Sequence, residues 1–232
     1  MDNNARKKDV LKFLVETFVH TNQPVGSMQI AEQLPYEVSS ATIRNDMVQM
    51  TALGLLAQPY TSAGRIPTDV GYRHYVKILI EERKELSRKQ REALERHFKN
   101  LKNLQERYQL AARLLAELSG SVGFLIDDTK RVYVSGLSNM AKVPEFSDES
   151  FRVNLIQALE QPDELMRNIS SPLDSEDINV VIGDNPQIKK ATIVISNFGP
   201  QGKKIISIIG PTRMQYKKAL PLVEYIKKIL DE

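Results

Sequence analysis

Hydrophobic residues recur at helical spacing near the start of the chain and predict a series of helices. An amphipathic first helix is indicated between Val10 and Val19, where apolar positions repeat at i, i+4 and i+8. Pro24 and Gly26 then predict a turn, after which Ser27 is expected to cap a short second helix. Arg6 and the two lysines after it precede the first helix and are interpreted as its solvated charged end rather than as phosphate contacts.

The stretch from Val38 to Pro67 is the one around which the rest is organised, and it begins with a third helix. The apolar face of this helix is predicted to consist of Ile43, Met47, Met50 and Leu53, which recur at helical intervals. Ser40, Arg44 and Asn45 project from another face, which is available to a partner. Ser39 or Ser40 is expected to cap the first turn, and Gly54 to end the helix at positive φ.

A two-stranded hairpin is predicted directly after this helix. Its strands are Leu55 to Gln58 and Arg65 to Ile66, and its polar tip is formed by Thr61, Ser62, Ala63 and Gly64. Pro59 and Pro67 are confined to the strand ends, where no ladder hydrogen bond is lost. A helix followed by such a hairpin is typical of a winged helix-turn-helix domain.

The side chains of this stretch suit double-stranded DNA. Arginine presents a fork to guanine, asparagine pairs twice with adenine, and hydroxyl and backbone N–H groups reach phosphates. The expected DNA-binding residues are Ser27, Ser39, Ser40, Thr42, Arg44, Asn45, Thr61, Ser62, Gly64 and Arg65. From the pattern alone, ordinary packing of an amphipathic helix and a hairpin remains an alternative.

The segment 86–120 carries apolar residues seven apart and predicts one long helix. Leu94, Leu101, Tyr108 and Leu115 form one line of the heptad, with His97, Leu104, Ala111 and Leu118 as companions. Such a helix either packs on its own domain or pairs with its copy in a second subunit. We favour a homodimer to which this helix contributes, because two half-site affinities then combine.

Residues 121–232 are predicted to form a second, α+β domain, after the DNA-binding domain in 1–85 and the helical linker. Strands are indicated at Val122 to Ile126, Arg131 to Val134, Asn179 to Ile182, Ala191 to Ser196 and Lys204 to Ile209. Helices are expected from Asp148 to Leu159, after Pro162, and at the end of the chain. The expected architecture is one sheet covered by helices on a face.

Composition excludes several function classes. The chain has 232 residues, no cysteine and a net charge of +3, so it contains no disulfide and DNA affinity must come from a few placed contacts. No apolar run approaches eighteen residues, which predicts a cytoplasmic protein with no membrane partner. Asp127 and Asp128 are adjacent in a strand and face opposite ways, so they form no catalytic dyad. We expect no enzymatic activity, no cofactor and no metal.

Several segments resemble the HrcA family of heat-inducible transcription repressors. They include QPVGSMQIAEQL, SSATIRNDM and LGLLAQPYTSAGRIPTDVGYRHYV near the start, and VSGLSN, VVIGDNP and IGPTRMQYKKALPLVEYI later. The resemblance implies a C-terminal GAF-like domain, repression of chaperone genes from an inverted-repeat operator, and modulation by the GroEL chaperonin. The dimerising domain inserted in family members is expected to be absent here, or reduced to Asp163 to Asp177.

Two other functions remain open. GAF-like folds often bind small molecules, so the chain is alternatively a ligand-sensing regulator, although Asp184, Asn197 and Arg213 are better explained as turn or structural residues. In a third hypothesis the winged helix only docks another protein, and Arg44, Asn45 and Arg65 are then superfluous.

Overall fold

The computed structural model describes residues 3–161, 178–183 and 190–232, which divide into two compact units, Met1–Arg83 and Lys84–Glu232. The helices are α1 (Asn3–Thr21), α2 (Ser27–Gln33), α3 (Ser40–Ala52), α4 (Asp69–Glu82), α5 (Arg88–Phe98), α6 (Leu104–Ser119), α7 (Leu137–Met140), α8 (Glu149–Glu160) and α9 (Tyr216–Asp231). The strands are β1 (Leu56–Ala57), β2 (Ile66–Pro67), β3 (Val122–Ile126), β4 (Val132–Ser135), β5 (Asn179–Ile182), β6 (Ala191–Phe198) and β7 (Lys204–Pro211). The predicted helix after Pro162 and the loop from Asp163 to Asp177 lie outside the described residues.

The first unit is a helical core with a small sheet, in which α1 contacts α2, α3 and α4. Its interior is apolar and includes Leu14, Ile30, Ile43, Met50 and Leu56. The Ser39 side chain caps α3, as one of the two predicted alternatives, and Gly54 adopts φ +74° just past its end. Ser27 does not cap α2: Gly26 is the N-cap residue, no side chain accepts a hydrogen bond there, and Ser27 is already the first helical residue.

The hairpin after α3 is present, and a third segment of chain extends it. β1 and β2 pair antiparallel, with Leu56 opposite Pro67 and Ala57 opposite Ile66. Val25, in the turn before α2, bridges to Arg65 through two backbone hydrogen bonds of 2.9 Å each. The base of the wing is therefore tied to the segment between α1 and α2, which the hydrophobic pattern did not predict.

The predicted long helix in 86–120 is wrong, because two helices, α5 and α6, occupy the segment. The Asn103 side chain accepts from the N–H groups of Gln105 and Glu106 and so starts α6 as a new helix. Tyr108, Ala111 and Leu115 are buried, and α6 packs on β3, β4 and α9 of its own unit. Leu104 and Leu118 are exposed, so the two lines of the heptad do not form one buried seam.

The second unit contains a five-stranded antiparallel sheet in the order β4-β3-β7-β6-β5. One face packs against α7 and α8, with Phe124 and Ile193 touching the same apolar cluster as Phe151 and Leu155. The opposite face contacts α6 and α9, so the expectation of helices on a single face is wrong. Strand residues such as Val194 and Ile208 are buried because both pleated faces are covered. The α+β class predicted for this domain, with its strands and its last helix, is confirmed.

A buried carboxylate closes the β3–β4 hairpin. Asp127 accepts hydrogen bonds from the N–H groups of Thr129 and Arg131 and from the hydroxyls of Thr129 and Tyr133. Burial raises the pKa of the Asp127 carboxyl, but these donors outweigh burial and hold the pKa below its ordinary value. Asp127 is thus a structural residue of the turn.

Candidate nucleic-acid interface

The outward face of α3 carries the two side chains predicted to read bases. Side chains rotate by about 100° per residue along a helix. Ile43, Met47 and Met50 therefore share the buried side, whereas Arg44 and Asn45 lie on the exposed side. Within the described residues, neither the Arg44 nor the Asn45 side chain makes a hydrogen bond or an ion pair. Their donors and acceptors are available to a partner molecule.

The hydroxyl groups at the start of α3 are committed to one another. Ser39 Oγ accepts from the Thr42 backbone N–H at 3.1 Å, and the Ser39 and Thr42 hydroxyl oxygens are 2.9 Å apart. Ser40 is the first helical residue and half-buried. Ser39 and Thr42 therefore stabilise the start of the helix. Ser39 remains exposed there, at a helix N-terminus, which is a position that attracts phosphate.

A partly buried ion pair holds α3 against α1. Arg6 Nε lies 2.7 Å from Asp46 Oδ2, and Arg6 Nη2 lies 3.1 Å from Asp46 Oδ1. Asp46 is only 2% exposed, although it directly follows the outward-facing Asn45. The interpretation of Arg6 as a solvated end is wrong: Arg6 lies inside α1, and its guanidinium holds the helix whose opposite side carries Arg44.

Three other exposed residues of α3 were not identified from the sequence pattern. Ala41, Val48 and Gln49 are exposed on the same side as Arg44 and Asn45. Leu53, predicted on the apolar face, is 69% exposed and lies just past the end of α3. The outward side of α3 is consequently a mixed surface in which polar and apolar groups alternate.

One side chain of the wing, that of Gln58, stabilises its tip. Gln58 Nε2 donates to the carbonyl oxygens of Thr61 and Ala63 at 2.7 and 3.1 Å, which closes the loop. Thr61 and Ser62 are exposed at this tip, as is Tyr60, which the sequence reading did not select. The tip thus presents two hydroxyl side chains and an aromatic ring on a narrow support.

Gly64 and Arg65 lie at the base of the wing, where they touch other parts of the first unit. A Cβ added to Gly64 would lie 2.3 Å from the Val25 carbonyl oxygen, so the absence of a side chain permits the bridge to Val25. Arg65 Nε donates to Thr51 Oγ1 at 3.1 Å, in the last turn of α3. Arg65 therefore connects wing and helix. Ser27 is half-buried at the start of α2.

Two of the candidate ligand-sensing residues, Arg213 and Asn197, lie in the described part of the second unit. Arg213 forms an ion pair with Glu145, with Nη2 and Oε2 3.1 Å apart. Asn197 lies on β6 opposite Ile205 of β7 and is half-buried, whereas Asp184 lies outside the described residues. Within the described part of the chain, no three metal-ligating side chains form a group, and no helix has the length and apolar character needed to cross a bilayer.

Comparisons with known proteins match two family models to the chain. A family model for the "Winged helix-turn-helix transcription repressor, HrcA DNA-binding" matches residues 4–81, and one for the "HrcA protein C terminal domain" matches residues 73–220. The chain is similar to a heat-inducible transcription repressor HrcA of Desulfitobacterium hafniense, with 26% identity over 340 positions that cover 100% of this chain and 98% of that protein. Because those positions outnumber the 232 residues here, the relative carries segments without a counterpart in this chain.

Identity is higher for relatives that match over a shorter stretch. An HrcA repressor of Gloeobacter violaceus is 46% identical over 132 residues, which cover 57% of this chain and 36% of that protein. A crystal structure described as that of a hypothetical protein has the same fold, with a TM-score of 0.79, 19% identity, and coverage of 100% of this chain and 96% of that one. Because the family model of the C-terminal domain alone matches more than half of the residues, the chain belongs to the HrcA family.

Proposed function

We propose that this protein is a DNA-binding repressor of heat-shock genes that occupies an inverted-repeat operator as a homodimer. The observation that carries the proposal is the exposed side of α3, where the Arg44 and Asn45 side chains have no partner among the described residues. The opposite side of the same helix is held by the ion pair between Arg6 and Asp46. Arginine and asparagine are the residues that pair with guanine and adenine in the major groove. α3 is the base-reading helix, and the wing contacts backbone or minor groove.

A selection experiment tests this function directly. The full chain is incubated with a pool of duplexes of randomised sequence, and bound duplexes are recovered and sequenced over several rounds. The expected result is one half-site sequence present twice, in inverted orientation. Arg44→Ala should then weaken binding to the selected duplex by about 1–3 kcal/mol and relax the preference at one base pair. Equal weakening on selected and scrambled duplexes would defeat the base-reading role.

A charge control separates base reading from general attraction to DNA. Lys77 is exposed on α4, in the same unit as Arg44, and Lys77→Ala also removes one positive charge. Since phosphate contacts carry no sequence information, the loss of a charge alone should affect all duplexes alike. Lys77→Ala is expected to leave the selected base preferences unchanged.

The homodimer follows from how an inverted repeat is read. Two identical α3 helices related by a two-fold axis contact two half-sites, and the second contact is strengthened by the high effective concentration that the first one creates. Sedimentation of the protein with the selected duplex should give two protomers per duplex. A complex of one protomer per inverted repeat, with full affinity for a single half-site, would refute the dimer.

Partners and location are carried over from the family as parts of the same proposal. The protein acts in the cytoplasm, without enzymatic activity, and the GroEL chaperonin increases the fraction of repressor able to bind DNA. Adding purified GroEL should raise the amount of protein that binds the selected duplex, whereas an unfolded competitor protein should reverse the effect. No change on addition of GroEL would remove this partner while leaving the DNA-binding function intact.

A further inference from the structure

Val48 is an apolar residue at the middle of the exposed side of α3. Its relative exposure is 51%, whereas the apolar residues Ile43, Met47 and Met50 of the same helix are almost completely buried. A β-branched side chain has few rotamers in a helix, so its two methyl groups are held in nearly fixed positions. Val48 therefore presents a rigid apolar surface to whatever α3 contacts.

The position of Val48 aligns it with the two base-reading side chains. Val48 follows Arg44 by four residues and Asn45 by three, and residues at these spacings are neighbours on one side of a helix. Ala41 lies at the corresponding distances before them and is also exposed. The exposed strip thus reads Ala41, Arg44, Asn45, Val48, with polar groups flanked by apolar ones.

We infer that Val48 is a specificity-determining residue that contacts the 5-methyl group of a thymine in the major groove of the operator. This inference rests on the proposed function, because it requires α3 to lie in the groove. The thymine methyl is the apolar group that the four bases display at the major-groove edge, whereas the other groups there are hydrogen-bond donors and acceptors. Val48 lies one helical turn after Arg44 and Asn45, so it would contact a thymine methyl in the same groove in which those two residues contact their bases.

Uracil is the probe that isolates this contact, because it pairs as thymine does and lacks only the 5-methyl group. Each thymine of the selected inverted-repeat duplex is replaced by uracil, in both half-sites together, and dissociation constants are measured for the wild type and for Val48→Ala. Removing one apolar methyl contact should weaken binding about three- to fivefold per half-site. We expect this loss at one thymine for the wild type and no loss at that thymine for Val48→Ala.

Leu53 supplies a matched control variant. It is also apolar and even more exposed, but it lies beyond the end of α3 and outside the strip. Leu53→Ala should therefore retain the full wild-type loss on uracil substitution. Thermal unfolding of both variants should remain close to the wild type, because neither side chain is buried and alanine favours helix.

The outcomes distinguish the inference from the proposed function. If selection recovers no preferred sequence, the proposed function fails and the inference fails with it. If a preferred sequence is recovered but no thymine responds to uracil, or if Val48→Ala responds as the wild type does, Val48 does not read a methyl group and only the inference is overturned.

Discussion

Replacing Gly64 with alanine tests whether this residue supports the wing or touches DNA. The added Cβ would lie 2.3 Å from the carbonyl oxygen and 2.4 Å from the carbonyl carbon of Val25. Both atoms belong to the backbone, so no side-chain rotation can relieve the overlap. The chain must separate at the bridge between Val25 and Arg65, which is made by two hydrogen bonds of 2.9 Å.

The expected loss of stability follows from those two hydrogen bonds. Each typically contributes about 0.5–1.5 kcal/mol net, so Gly64→Ala should lower the free energy of opening this bridge by about 1–3 kcal/mol. The wing should then lose its tie to the segment before α2. Binding to the selected duplex should weaken through displacement of Thr61 and Ser62 rather than through loss of a contact by Gly64 itself.

Native-state hydrogen exchange measures this effect at the two amides involved. The N–H groups of Val25 and Arg65 should exchange faster in Gly64→Ala, whereas amides of α3 should change little. Gly26→Ala is the matched control, because no atom lies within 4 Å of a Cβ built at Gly26 and its φ of −87° suits any residue. Weaker DNA binding with unchanged protection at Val25 and Arg65 would refute the supporting role and favour direct contact by Gly64.

Two further predictions concern caps and charge. Gly26→Ser should stabilise the first unit by about 0.5 kcal/mol, because serine supplies the side-chain acceptor that the N-cap of α2 lacks. Thermal unfolding should show a higher midpoint, and an unchanged midpoint would contradict this prediction. Asp127→Asn should flatten the dependence of stability on pH below about pH 4. The pKa of Asp127 is lowered by folding, so its carboxylate stabilises the folded state above the unfolded pKa, and this stabilisation is lost as the pH falls through the folded pKa. Urea unfolding at several pH values measures it, and parallel profiles for the two proteins would contradict the role.

Local pattern was sufficient to predict the helix and hairpin that form the candidate interface. The spacing of Ile43, Met47 and Met50 identifies the buried side of α3, and therefore the side from which Arg44 projects, without knowledge of any distant residue. Ser39 and Gly54 mark the two ends of the helix through their own conformational preferences. These signals succeed because each depends on residues within one or two turns.

The errors arose where a distant segment or a weak local signal decided the structure. The heptad spacing in 86–120 continues past Leu101, yet the side chain of Asn103 caps a new helix there, and a cap competes successfully with a continued pattern of apolar residues. The bridge from Val25 to Arg65 joins residues forty positions apart in the chain, and neither residue type signals it. Helices on both faces of the sheet were missed because α6 was interpreted as a linker.

Asp46 lies three residues after Ile43 and four before Met50, so helical spacing places it on the buried side of α3, but its residue type does not signal burial. Its partner gives a last test. An aspartate after Arg44 and Asn45 reads as a third exposed polar residue, but the guanidinium of Arg6 pairs with it by two hydrogen bonds and allows it to be buried. Arg6 is then a positioning residue: it holds α3 in place without reaching DNA.

Arg6→Ala should therefore reduce the ratio of affinities for selected and scrambled duplexes while leaving the salt dependence of binding unchanged. If Arg6 instead contacted a phosphate, its loss would weaken both duplexes alike and reduce the slope of log K against log salt by about 0.9. Lys7→Ala removes a neighbouring charge without breaking the pair with Asp46 and should keep the wild-type ratio. Arg6→Lys should restore only part of it, because a single ammonium group cannot donate to both carboxylate oxygens in the geometry of the arginine fork. A reduced slope for Arg6→Ala, with the ratio preserved, would assign Arg6 to the DNA backbone and leave α3 held by its apolar side alone.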